Sequence, residues 1–370
     1  MLPHHRTADR AAHRRGALRL LGWGLRETAG RLVTASVFGL AYQGGLLLLP
    51  WCLGSAIDHG IVVRDPAALL DWAGAVLAVS GLLTVGESGL RWYGAIGANR
   101  TANRVVARLT AAVLHLDAAA IGRFGHGDLV VRGTRDTEAL YTWLRGMPSL
   151  VSGVFGLAGA IGAVALLDAT LTVVGLATLP LLVAVNLWYP ARFERASADV
   201  SSAHADRADA AEDLLTASTV ARGLGGVGVL VGRHHRHSEA VTVHTLSLAR
   251  VAAAWSAHAT FVPALAAAVG LLFGGFAVLD GRVSVGVLVT FTGWLALLSI
   301  QVIMLTERLS VIGLAYPAAA RIAEVLDAEP VVSEAADPIA LPLSGVLATR
   351  GVRIDLPGRA ALTLPDLLVR

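Results

Sequence analysis

The sequence predicts an all-α membrane protein with six transmembrane helices and two long cytoplasmic helical extensions. Three observations predict it. The first is composition: of 370 residues, 55% are hydrophobic and 15% charged, against about 25% charged in ordinary soluble domains, and the mean hydropathy is +0.64. The second is a set of six apolar runs, each of a length suited to a hydrocarbon core about 30 Å thick. The third is an alternation of arginine between the segments that join those runs. All 30 basic residues are arginine.

Residues 1–31 form a basic tail with seven arginines. The first apolar run begins only near Leu32, too deep for a cleavable signal peptide. Within the tail, GALRLLGWGLRETAGR (16–31) reads as an amphipathic interfacial helix. Leu18, Leu21, Trp23 and Leu25 would meet lipid and the arginines would meet headgroups. Span one, 32–57, carries no charge. Span two, 67–90, is weaker, with Asp71 near one end and Glu87 near the other. Residues 146–191 contain a single charge, Asp168. As one helix they would extend roughly 69 Å, so they divide into spans 148–167 and 170–190 around a turn at Asp168. Spans five and six, 259–279 and 284–306, meet at Asp280-Gly281-Arg282.

Arginine counts set the orientation. The N-terminal tail has seven, segment 91–146 eight, segment 191–258 seven and the tail after 307 six. The three other joining segments hold Arg64, no arginine and Arg282 in turn. Both termini are therefore expected in the cytoplasm of a multi-pass cell-membrane protein. The net charge of +3 and pI near 9.5 follow from that distribution. Nucleic acid is excluded as the partner, and membrane lipid is expected instead. The single cysteine, Cys52, excludes an intrachain disulfide and a cysteine-based zinc site.

The two long arginine-rich segments have helix-forming composition. In the first, Arg100, Arg104 and Arg108 form one polar stripe. Helical continuation of about 25 residues past the bilayer adds roughly 37 Å. Each segment then goes out and returns, with a polar turn at its tip: RFGHGDLVVRGTRDTEAL (123–140) in one and AEDLLTASTVARGLGG (211–226) in the other. Arg132 and Asp136, four apart, read as a surface ion pair. Glu87 and Arg91 read as a local pair at the membrane boundary, although an intramembrane acid is also a functional candidate. Tyr42, Gln43, Asn186, Trp294 and Gln301 either line a substrate path or bond between helices. RHHRH (233–237) lacks ligand spacing and reads as a solvated basic stretch; no metal site is expected. Neither a Ser-His-Asp nor a paired-carboxylate arrangement stands out, so catalytic residues are expected to be none.

Five ordered stretches carry a resemblance: AIDHGI (56–61), HLDAAAIGRFGHGDLVVRGTRDTEAL (115–140), AEDLLTASTVARGLGG, DGRVSVGVLVTF (280–291) and AAARIAEVLDAEP (318–330). Together they resemble the transmembrane domain of exporter-type ABC transporters over roughly residues 16–330. The resemblance implies a domain at 32–330 that forms one half of a translocation pathway and works as a homo- or heterodimer. It implies a first coupling helix near 118–126, with Ala120, Ile121, Arg123, Phe124, Gly127 and Asp128. Phe124 would anchor a partner, Gly125 and Gly127 would allow the sharp exit, and Asp128 would cap the returning helix. It implies a second coupling helix near 212–220, with Glu212, Asp213, Leu214 and Leu215. Only one aromatic, Phe124, stands where the family has two. Residues 331–370 resemble a linker and the truncated start of a nucleotide-binding domain, with Leu356 where the family places an adenine-stacking aromatic. No G-x-x-x-x-G-K-[ST] motif occurs, and a chain without lysine cannot supply its phosphate-binding residue. ATP and Mg are accordingly expected on a partner nucleotide-binding domain, with no ATPase activity from this chain alone. The exported substrate is not named by these residues. An ATP-independent secondary transporter or channel, or a non-functional truncated exporter remnant, remain as alternatives. The uncharged centres of the spans count against proton or sodium coupling.

Overall fold

The computed structural model describes residues 4–330, 347–354 and 361–369. Its helices are α1 (His4–Ala56), α2 (Pro66–His115), the short α3 (Ala118–Phe124) and α4 (His126–Val131), α5 (Thr137–Ala165), α6 (Ala169–Thr216), the short α7 (Ser218–Gly223), α8 (Val227–Leu279) and α9 (Val285–Leu326). Among the described residues, six helices are long and apolar enough to cross a membrane, as the sequence predicts. At 50 residues, α2 is about 75 Å long, more than twice the hydrocarbon thickness. The excess lies at one end of the bundle, where the chain makes its two long hairpins. The other end has only short turns.

Each short turn launches the next long helix with a side-chain cap. Asp65 accepts the N–H groups of Ala67 and Ala68 at 2.9 and 3.3 Å, and Pro66 follows it in the first turn. Asp168 accepts from Thr170 at 2.9 Å, and Ser284 from Val287 at 3.2 Å. The turns are also joined to one another. Asp58, in a π-helical segment (Ile57–Val62) that ends α1, accepts the Ser284 hydroxyl at 2.5 Å and the Gly286 N–H at 2.8 Å. One carboxylate therefore fixes where α9 begins. The contact is close because Gly54 and Gly286 meet backbone to backbone; a Cβ on either would strike the other's carbonyl oxygen. The motifs AIDHGI and DGRVSVG are thus two sides of one contact. Arg282 reaches Asp168 at 3.3 Å and ties the third turn to the same end.

Helices α1, α2, α5 and α9 form a four-helix bundle, while α6 and α8 pack chiefly on each other. Near the short turns, Val164, Leu171, Ala266, Phe291 and Leu298 share one core. Further along, Leu182, Tyr189 and Val262 still meet Val302 of α9. Beyond Tyr189, α6 belongs to no core shared with α9; its buried residues there are Ala203 and Ala210. Small residues let α8 approach closely, so the α6–α8 hairpin leaves the bundle as a paired arm.

Residues 16–31 are not a separate interfacial helix. They continue α1 without interruption. Ala17 and Leu20 are buried against Val105, Leu109, Ile322 and Val325, and Leu21 and Trp23 pack on the same cluster. The arginine stripe of α2 meets this stretch: Arg104 pairs with Glu27, and the Arg108 guanidinium lies 3.9 Å from the Trp23 ring. The apolar face assigned to lipid finds protein instead, because α2 and α9 are long enough to stand beside it. Leu18 alone of the four named side chains is fully exposed.

At the C-terminal end, β1 (Leu347–Thr349) pairs antiparallel with β4 (Leu367–Val369), and β2 (Arg353–Ile354) with β3 (Leu362–Thr363). Leu356 lies outside the described residues.

Asp58→Ala leaves the Ser284 hydroxyl and Gly286 N–H without their acceptor and is expected to cost about 1–3 kcal/mol, read as a lowered midpoint of thermal unfolding in detergent. Asp168 gives a pH signature. Its carboxyl is held below the ordinary 3.8, first by the Thr170 backbone N–H and further by the Thr170 hydroxyl and the Arg282 charge. A lowered folded-state pKa contributes stability that is present above the unfolded-state value and lost as pH falls through the folded one. The stability difference between the natural protein and Asp168→Asn should therefore narrow below about pH 4. A difference that is flat across that range would contradict it.

Candidate functional site

The first tip starts where α2 ends. Asp117 is extended and accepts the Ala120 N–H at 2.7 Å, which launches α3. Ala120 is buried, and Ile121 and Phe124 pack on the cluster that holds Leu109, Ile322 and Val325. Ala118, Ala119, Gly122 and Arg123 face outward. Phe124 is partly buried and packs α3 on its own bundle, with the Arg132 guanidinium 5.0 Å from its ring centre. Gly125, at φ +74°, makes the turn alone. Gly127 lies inside α4. Asp128 sits in the first turn of α4, where an acid suits the helix dipole. It does not cap that helix; it accepts from Arg132 Nε at 2.7 Å.

Arg132 and Asp136 bound a π-helical segment between α4 and α5. They do not pair with each other. Arg132, with 8% of its side chain exposed, binds Asp128 and also Glu324 of α9 at 2.7 Å. It donates further to the Arg321 carbonyl oxygen at 2.5 Å. Asp136, 3% exposed, accepts from Arg321 Nε at 2.8 Å and from its Nη2. The pair expected on the surface is thus buried, and each member takes a partner on α9. Arg321 and Glu324 are the residues that the sequence reading missed. Their signal was present: an Arg and an Asp four apart face, in antiparallel order, a Glu and an Arg three apart.

The second tip is displaced from the expected position. Helix α6 runs on to Thr216, so Glu212, Asp213, Leu214 and Leu215 form its final turns, and the separate short helix is α7 at Ser218–Gly223. The Ala/Asp/Glu/Leu run to 215 favours uninterrupted helix, and only Thr216-Ala217-Ser218 weakens it. Asp213 meets Arg233 of α8 at 3.0 Å; both are about half exposed, so the pair contributes little. Leu215, Val220 and Leu224 are 71%, 64% and 82% exposed. The second tip thus presents large apolar side chains, whereas α3 presents small ones and a guanidinium, with Val130 of α4 exposed beside it.

Within the spans, Gln43 and Gln301 are buried and exchange amide hydrogen bonds, the shorter at 2.5 Å. Trp294 Nε1 donates to the Leu47 carbonyl oxygen at 2.9 Å, and Asn186 Nδ2 to that of Leu182 at 2.9 Å. In a medium without water the glutamine pair and the Trp294 bond lock α1 to α9, whereas the Asn186 bond stays within α6 and leaves its Oδ1 without a partner among the described residues. Of the five span residues named from sequence, Tyr42 lines a cavity between α1, α2, α5 and α9, with Glu87 and Arg91 at its edge. Glu87 accepts from Arg91 at 2.6 and 2.9 Å, the local pair expected. Arg233 of the RHHRH run is taken up by Asp213.

Six long apolar helices, two hairpins far longer than a bilayer and a short helix at each tip define the architecture of a membrane domain. Residues 32–302 match the family model of the ABC transporter transmembrane region, and the chain belongs to that family. It is similar to a multidrug efflux ATP-binding/permease protein of Mycobacterium bovis (strain BCG / Pasteur 1173P2), 24% identical over 334 residues, which cover 87% of this chain and 27% of that protein. It is also similar to an uncharacterized ABC transporter ATP-binding protein of Mycobacterium tuberculosis (strain ATCC 25618 / H37Rv), 25% identical over 333 residues, which cover 87% of this chain and 56% of that protein. The chain thus spans between about a quarter and about half the length of these relatives.

Arg321→Gln removes the partner of a buried carboxylate and is expected to cost about 2–3 kcal/mol in thermal unfolding. Adding Asp136→Leu to that variant should recover part of the loss. Additive losses would show that the two side chains do not act as a pair.

Proposed function

We propose that this chain is one transmembrane half of an ABC exporter, with both termini and both hairpin tips in the cytoplasm. A second half, identical or homologous, completes the pathway, and lipid surrounds the spans. ATP and Mg are held by partner nucleotide-binding domains, which grip α3 and α7. The observation that carries this reading is the rigid mounting of α3. It stands on α2 about 36 Å past Arg91, at 1.5 Å per residue, and is tied through Arg132 and Asp136 to the far end of α9. Force applied at such a tip moves two spans together instead of bending a loop. The α6–α8 arm, packed only on itself beyond Tyr189, is free to lie against another subunit. The multidrug efflux name of one relative supports outward transport without naming a substrate.

The arginine distribution supports the orientation, and accessibility tests it. In a Cys52→Ser background, single cysteines at Ala119 and Val220 should react with an impermeant maleimide only from the cytoplasmic face. Cysteines at Val63 and Asp280 should react only from the outer face. The same Ala119 and Val220 cysteines should crosslink to an ATP-hydrolysing chain that co-purifies. Tips that label from the outer face, or crosslink to no such chain, would favour an ATP-independent carrier or a remnant.

A further inference from the structure

The cavity between α1, α2, α5 and α9 is lined by three arginines from three helices: Arg91, Arg145 and Arg308. Glu87 is the one carboxylate among its lining residues, and Arg91 already engages it. Three guanidinium groups against one carboxylate leave two positive charges without a counter-ion. Arg145 has only the Tyr141 ring, 5.7 Å from its guanidinium carbon. The Arg308 Nε is buried and has no hydrogen-bond partner.

A shared cavity and an enclosed, unpartnered guanidinium nitrogen, rather than depth, distinguish this cluster from ordinary boundary arginines. Counted along each helix from its short-turn end, Arg145 lies about 30 Å in, Arg308 about 35 Å and Arg91 about 37 Å, at 1.5 Å per residue. One hydrocarbon thickness is about 30 Å, so all three stand at the level of the far headgroups. Tyr42 lies about 30 Å in by the same count from Val62, where the π-helical end of α1 stops, level with Gly86 of α2, whose Cβ position meets the Tyr42 backbone. The cavity is therefore a cationic pocket at the headgroup level, with Tyr42, Leu90 and Met304 completing its wall. Arginines at this boundary are ordinary, but a guanidinium nitrogen enclosed without an acceptor, as in Arg308, carries a desolvation cost that a bound anion would relieve. The planar fork of arginine matches phosphate and carboxylate oxygens, which accept two hydrogen bonds at once.

We propose that this cavity binds the anionic headgroup of an amphiphile, a phosphodiester or free carboxylate of the lipid type, drawn from the leaflet on the hairpin side. Arg145 and Arg308 hold the anion, Arg91 is held in place by Glu87, and the acyl portion lies beside Tyr42 and Met304. The proposal names a substrate class for the transport reading above and rests on it for carriage, though not for binding.

Binding is measured without ATP, so the two readings fail separately. The full chain is purified into phosphatidylcholine nanodiscs and titrated with fluorescent phosphatidylglycerol. Arg145→Gln and Arg308→Gln are each expected to weaken saturable binding about tenfold, and Arg308→Lys by less. Arg192 stands at a similar depth on α6, is exposed, and lies outside the cavity; Arg192→Gln should leave binding within twofold. Thermal unfolding of each variant verifies that it is folded. Unlabelled phosphatidylglycerol should displace the probe, and phosphatidylcholine and inorganic phosphate should not. Equal loss in Arg192→Gln, or no loss in folded Arg145→Gln and Arg308→Gln, overturns the site. Displacement by inorganic phosphate as effective as by the lipid overturns the amphiphile and leaves a site for a free anion. Binding that survives while ATP-driven transport is absent would sink the transport reading alone.

Discussion

The carboxylate of Asp136 and the guanidinium of Arg132 are both buried, and neither can stand in that environment alone. Burying an unpaired charge costs several kcal/mol, so each must reach a partner, and the partners are on α9. That requirement fixes how the returning arm of the first hairpin is set against the end of the last span. The apolar cluster around Val105, Leu140 and Ile322 supplies most of the cohesion there. It is non-directional, however, and would tolerate sliding. The ion pairs are directional and hold the register.

At the opposite end a second directional contact does comparable work. Asp58 engages the first residues of α9 through a hydroxyl and a backbone N–H. Helix α9 is therefore pinned near both ends, to α1 at the short turns and to the α4–α5 junction at the tips. A helix held in this way transmits displacement along its length. The α6–α8 arm carries no such second anchor to the bundle. On the proposed reading, this asymmetry separates a lever that drives the spans from an arm that reaches a neighbour.

Charge placement follows the same economy. Most arginines lie where water or headgroups reach them, and the exposed ion pairs, Arg19–Asp327 and Arg233–Asp213, contribute little. The exceptions sit at boundaries. Arg132 is enclosed at the tip and fully partnered, whereas Arg308 stands at the membrane edge with a buried nitrogen left unpartnered. The first arrangement is complete without a ligand, and the second is not.

Much of the architecture was legible in residue order. Spans announce themselves because the bilayer demands about twenty apolar residues in succession, and 146–191 had to divide because no single helix fits one crossing. The tips were legible as polar interruptions, and Asp168 and Asp280-Gly281 as turns. What misled was every inference about which way a face points. Residues 16–31 carry an apolar face that lipid or protein satisfies equally, and only the length of α2 and α9 decided for protein. Phe124 turned inward because the space under Arg132 lay there. The short helix of the second tip moved to 218–223 because helix propensity to Leu215 is unbroken. The sequence by itself determined the number of apolar helices long enough to cross a membrane, and its arginine distribution supports the side proposed for the long hairpins. Tertiary structure alone decided the partners: Arg132 with Glu324, Asp136 with Arg321, Asp58 with Gly286, and three arginines around one cavity. Hydropathy is summed along the chain and is local, whereas a buried charge is satisfied only by a group that folding brings from far away.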